Sequence, residues 1–141
     1  MNESTWKRTV FVGILIVAPF AYNLFMEFWA SLYFQHLNVT TGSSKLIAIL
    51  KLSLASLIGI TLLASFSVYL LSIFYPFSVL SRAILVALAI VLVNAAIYIH
   101  YSAFGLSGAS AYLIIIEWSE ILLIFILLGF AVQKLKGVRN A

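Results

Sequence analysis

The residues with chemical potential in this 141-residue chain are a few polar side chains set within long apolar stretches. Only 9% of the residues are charged. Ionisable groups at membrane depth are costly, and they usually face the interior of a helix bundle or water. We therefore look for a binding or catalytic role in seven residues: Glu27, Lys51, His100, Glu117 and Glu120, with the amides Asn23 and Asn94.

Helical spacing places several of these residues on common faces. Asn23 and Glu27 are four residues apart, and Glu117 and Glu120 are three apart, so each pair shares one side of its helix. Asn94 begins a polar and aromatic stripe that continues at Tyr98 and Tyr101. If these stripes face each other, two or three carboxyl groups meet one lysine, one histidine and two amides. We expect them to form a pocket of low dielectric constant.

Such a pocket favours three interpretations. Burial disfavours the charged form of a carboxyl group, so one glutamate would hold a proton or bind a cation, as a proton-coupled carrier or an ion site requires. Alternatively, Lys51 and His100 pair with the glutamates and hold the helices together. In the third interpretation, the glutamates meet basic residues of a partner subunit.

A metal site is not expected at this cluster. Helical bundles that hold metals through carboxylates repeat Glu-x-x-His on two helices. Residues 117–120 instead read Glu-x-x-Glu, and neither His36 nor His100 has a carboxylate three residues before it.

The elements that would position these residues are four apolar stretches, each near the roughly 20 residues needed to cross a bilayer. They cover about 9–34, 46–74, 83–101 and 111–133, and 65% of the whole chain is hydrophobic. Tyr75-Pro76 should end the second helix, because proline disfavours the helical conformation of the residue before it. Polar or glycine- and serine-rich connections lie at 35–45 and 102–110. We predict an all-α integral membrane protein: a single domain, residues 1–141, built as a four-transmembrane-helix bundle with short loops.

Lysine and arginine residues predict the orientation, because they are more frequent on the cytoplasmic side of membrane proteins. The side that holds both termini and the second loop carries Lys7, Arg8, Arg82, Lys134, Lys136 and Arg139. The opposite side carries Lys45 and Lys51. Both termini should therefore be cytoplasmic, in a cell inner or plasma membrane. The net charge of +4 then indicates topology and contact with the lipid bilayer, and no nucleic-acid partner is expected.

Small and hydroxylated residues on the second helix have two interpretations. Ala55 and Gly59 form a small-x-x-x-small pair, which is typical of closely packed membrane helices. Thr61, Ser65, Tyr69 and Ser72 share one side of the helix and would suit a polar pore lining. We favour the packing role.

The ionisable residues inside the stretches all lie between the predicted midplane and the outer surface, which predicts an outward-facing site. Ion- or proton-coupled transport, or ligand binding, through the carboxylate cluster is the favoured function, in a homo-oligomer because four helices leave little room for a pathway. One alternative is an accessory or structural subunit of a larger membrane complex. Another is an intramembrane enzyme that uses the Glu/His cluster, although no cofactor motif or cysteine nucleophile is present and an enzyme is less favoured.

Overall fold

A computed structural model describes residues 3–36, 45–103 and 111–139 of the chain. The described residues form four α-helices: α1 (Glu3–His36), α2 (Lys45–Phe74), α3 (Val79–Ala103) and α4 (Ala111–Arg139). Each contains a segment long and apolar enough to cross a membrane, namely Thr5–Leu32, Leu50–Phe74, Val79–Ser102 and Tyr112–Lys136. The prediction of an all-α chain with four helices of this kind is confirmed. Most of the two predicted connections at 35–45 and 102–110 lies outside the described residues, at 37–44 and 104–110.

Three helices extend beyond the apolar stretches that predicted them. Helix α1 begins at Glu3, whereas its apolar stretch begins near residue 9. Helix α3 begins at Val79, whereas its apolar stretch begins near residue 83. Helix α4 continues to Arg139, beyond the end of the pattern near 133. Hydropathy marks the part of a helix suited to lipid, whereas backbone hydrogen bonding continues through polar residues such as Lys and Glu, which are good helix formers.

The turn between α2 and α3 follows the predicted break at Tyr75-Pro76. The Tyr75 N–H still donates to the carbonyl of Leu71 at 2.8 Å, but the helix ends at the residue before it. The next helix begins as the Arg82 N–H donates to the carbonyl of Ser78 at 3.2 Å. Proline cannot donate a backbone hydrogen bond, which makes it well suited to this position.

Helix α4 packs most extensively, against α2 and α3, whereas α1 lies against α3 and α2. Small residues allow the closest approach of α4 to α3. A Cβ atom on Gly129 would lie 3.1 Å from Ala83 Cβ and 3.2 Å from Leu80 Cα. The buried core of the bundle is almost entirely aliphatic and aromatic, and large apolar side chains are also exposed on the outside of all four helices. An apolar exterior on this scale is unusual for a soluble protein and is the surface that a lipid-embedded bundle presents.

Aromatic residues connect the helices at the end of the bundle where α1 begins. The Arg82 guanidinium lies over the rings of Phe11 and Tyr75, 4.5 and 3.9 Å from their centroids. The Tyr75 hydroxyl donates to the backbone carbonyl of Lys7 at 2.5 Å. These contacts join α1 to the α2–α3 turn and to α3, and a cation over an aromatic face is itself stabilising.

Candidate carboxylate site

Helix α4 turns Glu117 and Glu120 toward its neighbouring helices. Both side chains are half-buried. They precede the fully buried Ile121 and Phe125, which define the inward face of the helix. Residues four apart lie on one helical face, so Glu117 continues the line of Ile121 and Phe125 toward the start of α4.

Tyr22 of α1 binds the first of these carboxyl groups. Its side chain is 1% exposed, and its hydroxyl donates to Glu117 Oε1 at 2.5 Å. Hydrogen bonds from a hydroxyl to a carboxylate are shorter and stronger than those between neutral groups. This contact joins α1 directly to α4 inside the bundle.

Ser53 of α2 binds the second carboxyl group. Its hydroxyl donates to Glu120 Oε1 at 2.6 Å. The other oxygen, Glu120 Oε2, is buried and has no hydrogen-bond partner in the described part of the chain. An unpaired buried polar atom is costly, and in native proteins its explanation is local strain, a catalytic role, or a water or ion bound to it.

A cavity of about 240 Å³ opens beside Glu117, between α1, α2 and α4. Its remaining walls are mostly apolar, but Ser56 Oγ is a second buried polar atom that lacks a partner within the described residues. The lining residues are Met26, Trp29, Ala30, Leu52, Ala55, Ser56 and Glu117. Glu117 therefore lies between the Tyr22 hydroxyl on one side and an accessible space on the other.

Trp29 forms one wall of this cavity and is held in place by α2. Its indole N–H donates to the Ala55 carbonyl at 2.8 Å, and its ring stacks on that of Phe25, with centroids 6.4 Å apart. The ring passes so close to Gly59 that a Cβ there would lie 2.8 Å from Trp29 Cδ1. The small-x-x-x-small pair of α2 thus packs against α1, in agreement with its predicted packing role.

The two asparagine side chains make bonds within their own helices. The Asn23 amide donates to the Pro19 carbonyl at 3.0 Å, and the Asn94 amide donates to the Ile90 carbonyl at 2.9 Å. Both bonds run back to the residue four positions earlier, a partner that every helix offers to a short polar side chain.

Two of the other predicted site residues, Glu27 and His100, are more exposed than the half-buried carboxyl pair of α4. Glu27 is exposed on the outside of the bundle. His100 is also exposed, with its ring 5.9 Å from that of Tyr101, and Lys51 is half-buried. Within the described residues, Glu117 and Glu120 accept hydrogen bonds from hydroxyl groups, and Glu27 is more exposed than either.

The hydroxyl stripe of α2 faces mainly outward. Thr61, Ser65 and Tyr69 are exposed, and only Ser72 is buried. The Thr61 hydroxyl donates to the Leu57 carbonyl of its own helix at 2.7 Å. This arrangement does not support a pore lining within one copy of the chain. Nor do three His, Asp or Glu side chains of the described residues converge in the way that metal ligands would.

Tyr22 and Ser53 were not among the predicted site residues. Tyr22 shares one helical face with Phe11, Ala18 and Trp29, at spacings of seven, four and seven residues. This spacing does not mark the face as buried, because exposed apolar residues such as Val12 and Ile16 also repeat with a helical period. Ser53 carries no signal either, since serine is frequent along α2 and its pairing with Glu120 depends on how α2 and α4 pack.

No protein-family model, no curated protein and no solved structure matches this chain.

Proposed function

We propose that this chain is a multi-pass membrane protein that binds a proton or a small cation at Glu117 and Glu120, as a step in ion- or proton-coupled transport. The observation that carries the proposal is the pair of inward-facing carboxyl groups whose described hydrogen-bond partners are hydroxyls, Tyr22 and Ser53. Buried charges in proteins are paired with an opposite charge or coordinate a metal ion.

The energetic cost of these groups supports a neutralising ligand. Moving an ionised carboxyl group out of water costs several kcal/mol even after the protein relaxes, and one hydroxyl bond to the charged group recovers about 1.5–3 kcal/mol. Glu120 has the greater deficit, because its Oε2 is buried without a described partner. A proton or a cation at this oxygen would remove the deficit.

The cavity beside Glu117 supports access from one side of the membrane. Glu117 lies six residues after the start of α4, so it is about 9 Å from that end along the helix axis. Glu120 lies about 4.5 Å deeper. With both termini on the cytoplasmic side, as the lysine and arginine distribution favours, the cavity opens toward the outer surface. A ligand would then meet Glu117 first and Glu120 second.

A carbodiimide that dissolves in membranes tests binding directly, because such reagents modify carboxyl groups that are protonated in apolar surroundings. We expect purified protein at neutral pH to be modified at Glu117 or Glu120, as located by peptide mass spectrometry. A bound cation should protect these residues, so Na⁺, Li⁺ and tetraphenylphosphonium are the first probes. Absence of modification at both residues, in folded protein, would contradict the proposed site.

Transport is tested separately in vesicles that contain a pH-sensitive dye and carry a potential set by K⁺ and valinomycin. We expect Glu117→Gln and Glu120→Gln to lower the proton flux at least tenfold, whereas Glu27→Gln, a matched loss of one carboxylate outside the site, should retain it. Equal flux in all four proteins would exclude Glu117 and Glu120 from the pathway. Absence of flux even in the unmodified protein would contradict transport. Binding at Glu117 and Glu120 would then be decided by the carbodiimide experiment alone.

A second candidate, a subunit of a larger membrane complex, is favoured by Glu27. This carboxylate is exposed on the bundle surface within the segment Thr5–Leu32, where an ionised group facing lipid would be costly. A basic residue of a partner would satisfy it. Purification in mild detergent should then yield a stoichiometric partner that is lost in Glu27→Gln and retained in Glu117→Gln; a single unpartnered species in both cases would count against this role.

A further inference from the structure

A second cavity, of about 640 Å³, lies at the opposite end of the bundle from the carboxylate site. It is formed between the α2–α3 turn and the last turns of α4. Its main lining residues are Phe77, Leu80, Phe130, Gln133, Lys134 and Lys136. The apolar segment Tyr112–Lys136 of α4 ends here, so the cavity lies at the level where hydrocarbon gives way to headgroups.

One side of this cavity is cationic. Lys134 is exposed, and a lysine ammonium group offers three hydrogen-bond donors. The Lys136 ammonium donates to the Ser72 carbonyl near the end of α2, and Lys136 also lines the cavity, so the lining carries a second positive charge. The Ser72 carbonyl accepts one of the three N–H donors of the Lys136 ammonium group, which leaves two donors for an anion.

The other side of the cavity is apolar and unusually exposed. Phe77, in the α2–α3 turn, is 83% exposed, and Phe130 of α4 is 55% exposed. In a bilayer these rings would contact acyl chains. Two ammonium groups next to two exposed aromatic rings match an amphiphile that has an anionic head and a hydrocarbon tail.

Contacts between α3 and α4 fix the shape of this cavity. Gln133 Oε1 accepts a hydrogen bond from the Leu80 N–H in the first turn of α3, at 2.9 Å. One turn earlier on α4, Gly129 lies against Ala83 and Leu80. The lysines therefore extend from a helix whose position relative to the turn is set by packing, so the cavity is preformed.

We propose that this cavity binds an anionic phospholipid, with its phosphate at Lys134 and Lys136 and an acyl chain along Phe77 and Phe130. Basic pockets next to membrane helices on the cytoplasmic side are suited to anionic headgroups. The proposal rests on the membrane insertion proposed above, but it is independent of the carboxylate site. It implies that the protein discriminates lipids of the leaflet that faces its termini.

Native mass spectrometry of the full chain in mild detergent, with added phosphatidylglycerol or phosphatidylcholine, tests this proposal. We expect a bound phosphatidylglycerol molecule that phosphatidylcholine does not replace. Lys134→Gln should weaken phosphatidylglycerol binding about fivefold, the effect of one basic residue at a membrane surface. The matched control is Arg8→Gln, which removes one exposed positive charge from the same end of the bundle but does not line the cavity.

The outcomes separate a site from general attraction. A fivefold loss in Lys134→Gln with little change in Arg8→Gln supports the cavity. Equal losses in both variants would show that net charge alone attracts the lipid, and no loss in either would also overturn the proposal. Displacement of the lipid by an equal concentration of inorganic phosphate would show a phosphate site without a lipid tail. Carbodiimide modification of Glu117 or Glu120 is measured on the same sample, so failure of lipid binding is distinguishable from failure of the carboxylate site.

Discussion

Replacement of Gly59 by alanine tests how α1 and α2 pack around the candidate site. The added Cβ would lie 2.8 Å from Trp29 Cδ1, 3.0 Å from Trp29 Nε1 and 3.2 Å from Met26 Sδ. An ordinary van der Waals contact between heavy atoms needs about 3.5 Å or more. The indole would therefore have to move by more than half an ångström, away from the Ala55 carbonyl to which it donates at 2.8 Å.

The expected cost combines three effects. Overpacking a close contact costs about 1–3 kcal/mol, and loss of the indole hydrogen bond costs about 1 kcal/mol more. Alanine recovers about 1 kcal/mol, because it is a better helix former than glycine. Gly59→Ala should therefore lower the free energy of unfolding by about 1–3 kcal/mol.

Gly13→Ala is the matched control. Gly13 lies in α1, and nothing would lie within 4 Å of an added Cβ, so this variant should keep its stability or gain up to about 1 kcal/mol. Unfolding by sodium dodecyl sulfate in mixed micelles, followed by far-ultraviolet circular dichroism, measures both variants against the unmodified protein. We expect the Gly59 variant to unfold at a lower detergent fraction, and the tryptophan emission of the protein, to which Trp29 contributes with Trp6 and Trp118, to change with it.

One result would refute the reasoning. If Gly59→Ala were as stable as Gly13→Ala, with unchanged tryptophan emission, the Trp29 ring could not lie over Gly59. The wall of the cavity beside Glu117 would then be placed wrongly, and the proposed access to the carboxylate site would lose its basis.

Three further substitutions have defined expectations in the same unfolding assay. Tyr22→Phe keeps the buried ring but removes the donor to Glu117, so it should lower the free energy of unfolding by about 1–2 kcal/mol. Tyr69→Phe, at an exposed tyrosine, should have no effect. Equal effects of the two substitutions would contradict the buried contact. Gln133→Ala removes the acceptor for an N–H in the first turn of α3 and should cost about 1 kcal/mol, with Gln133→Glu restoring most of the loss. Arg82→Met keeps an unbranched side chain at two aromatic rings but loses the charge, so it should lower the free energy of unfolding by about 1 kcal/mol. An unchanged unfolding midpoint would show that the cation contributes nothing there.

The number and approximate position of the helices follow from local features of the sequence. An apolar stretch of about 20 residues is long enough for a membrane crossing wherever it occurs in the fold, and Pro76 ends α2 through its own ring geometry. The Ala55 and Gly59 pair is likewise local, since two small residues one turn apart leave a groove on any helix. None of these features depends on which helices are neighbours.

The rotation of each helix about its axis could not be predicted in the same way. In a soluble bundle the apolar face turns inward, but here both the core and the exterior are apolar, so hydrophobic periodicity does not distinguish them. Glu27 and Tyr22 show the consequence. They are five residues apart, about 140° around the helix, and the tyrosine is buried whereas the carboxylate is exposed.

The partners of polar groups were also undetermined by spacing alone. Helical spacing assigns Asn23 and Asn94 to a common site, and in the structure their amides donate to carbonyls one turn earlier in their own helices. A local carbonyl is always within reach of such a side chain, so only the packed structure decides whether a more distant partner competes with it.

The glutamates of α4 show both kinds of information. That Glu117 and Glu120 are ionisable groups on one side of an apolar helix was evident from their types and their spacing. That Tyr22 and Ser53, 95 and 67 residues away along the chain, donate to them depended on the packing of α4 against two other helices. Residue type and helical period are local properties, whereas a hydrogen bond between helices requires a particular rotation and depth for both, and only the tertiary structure sets these.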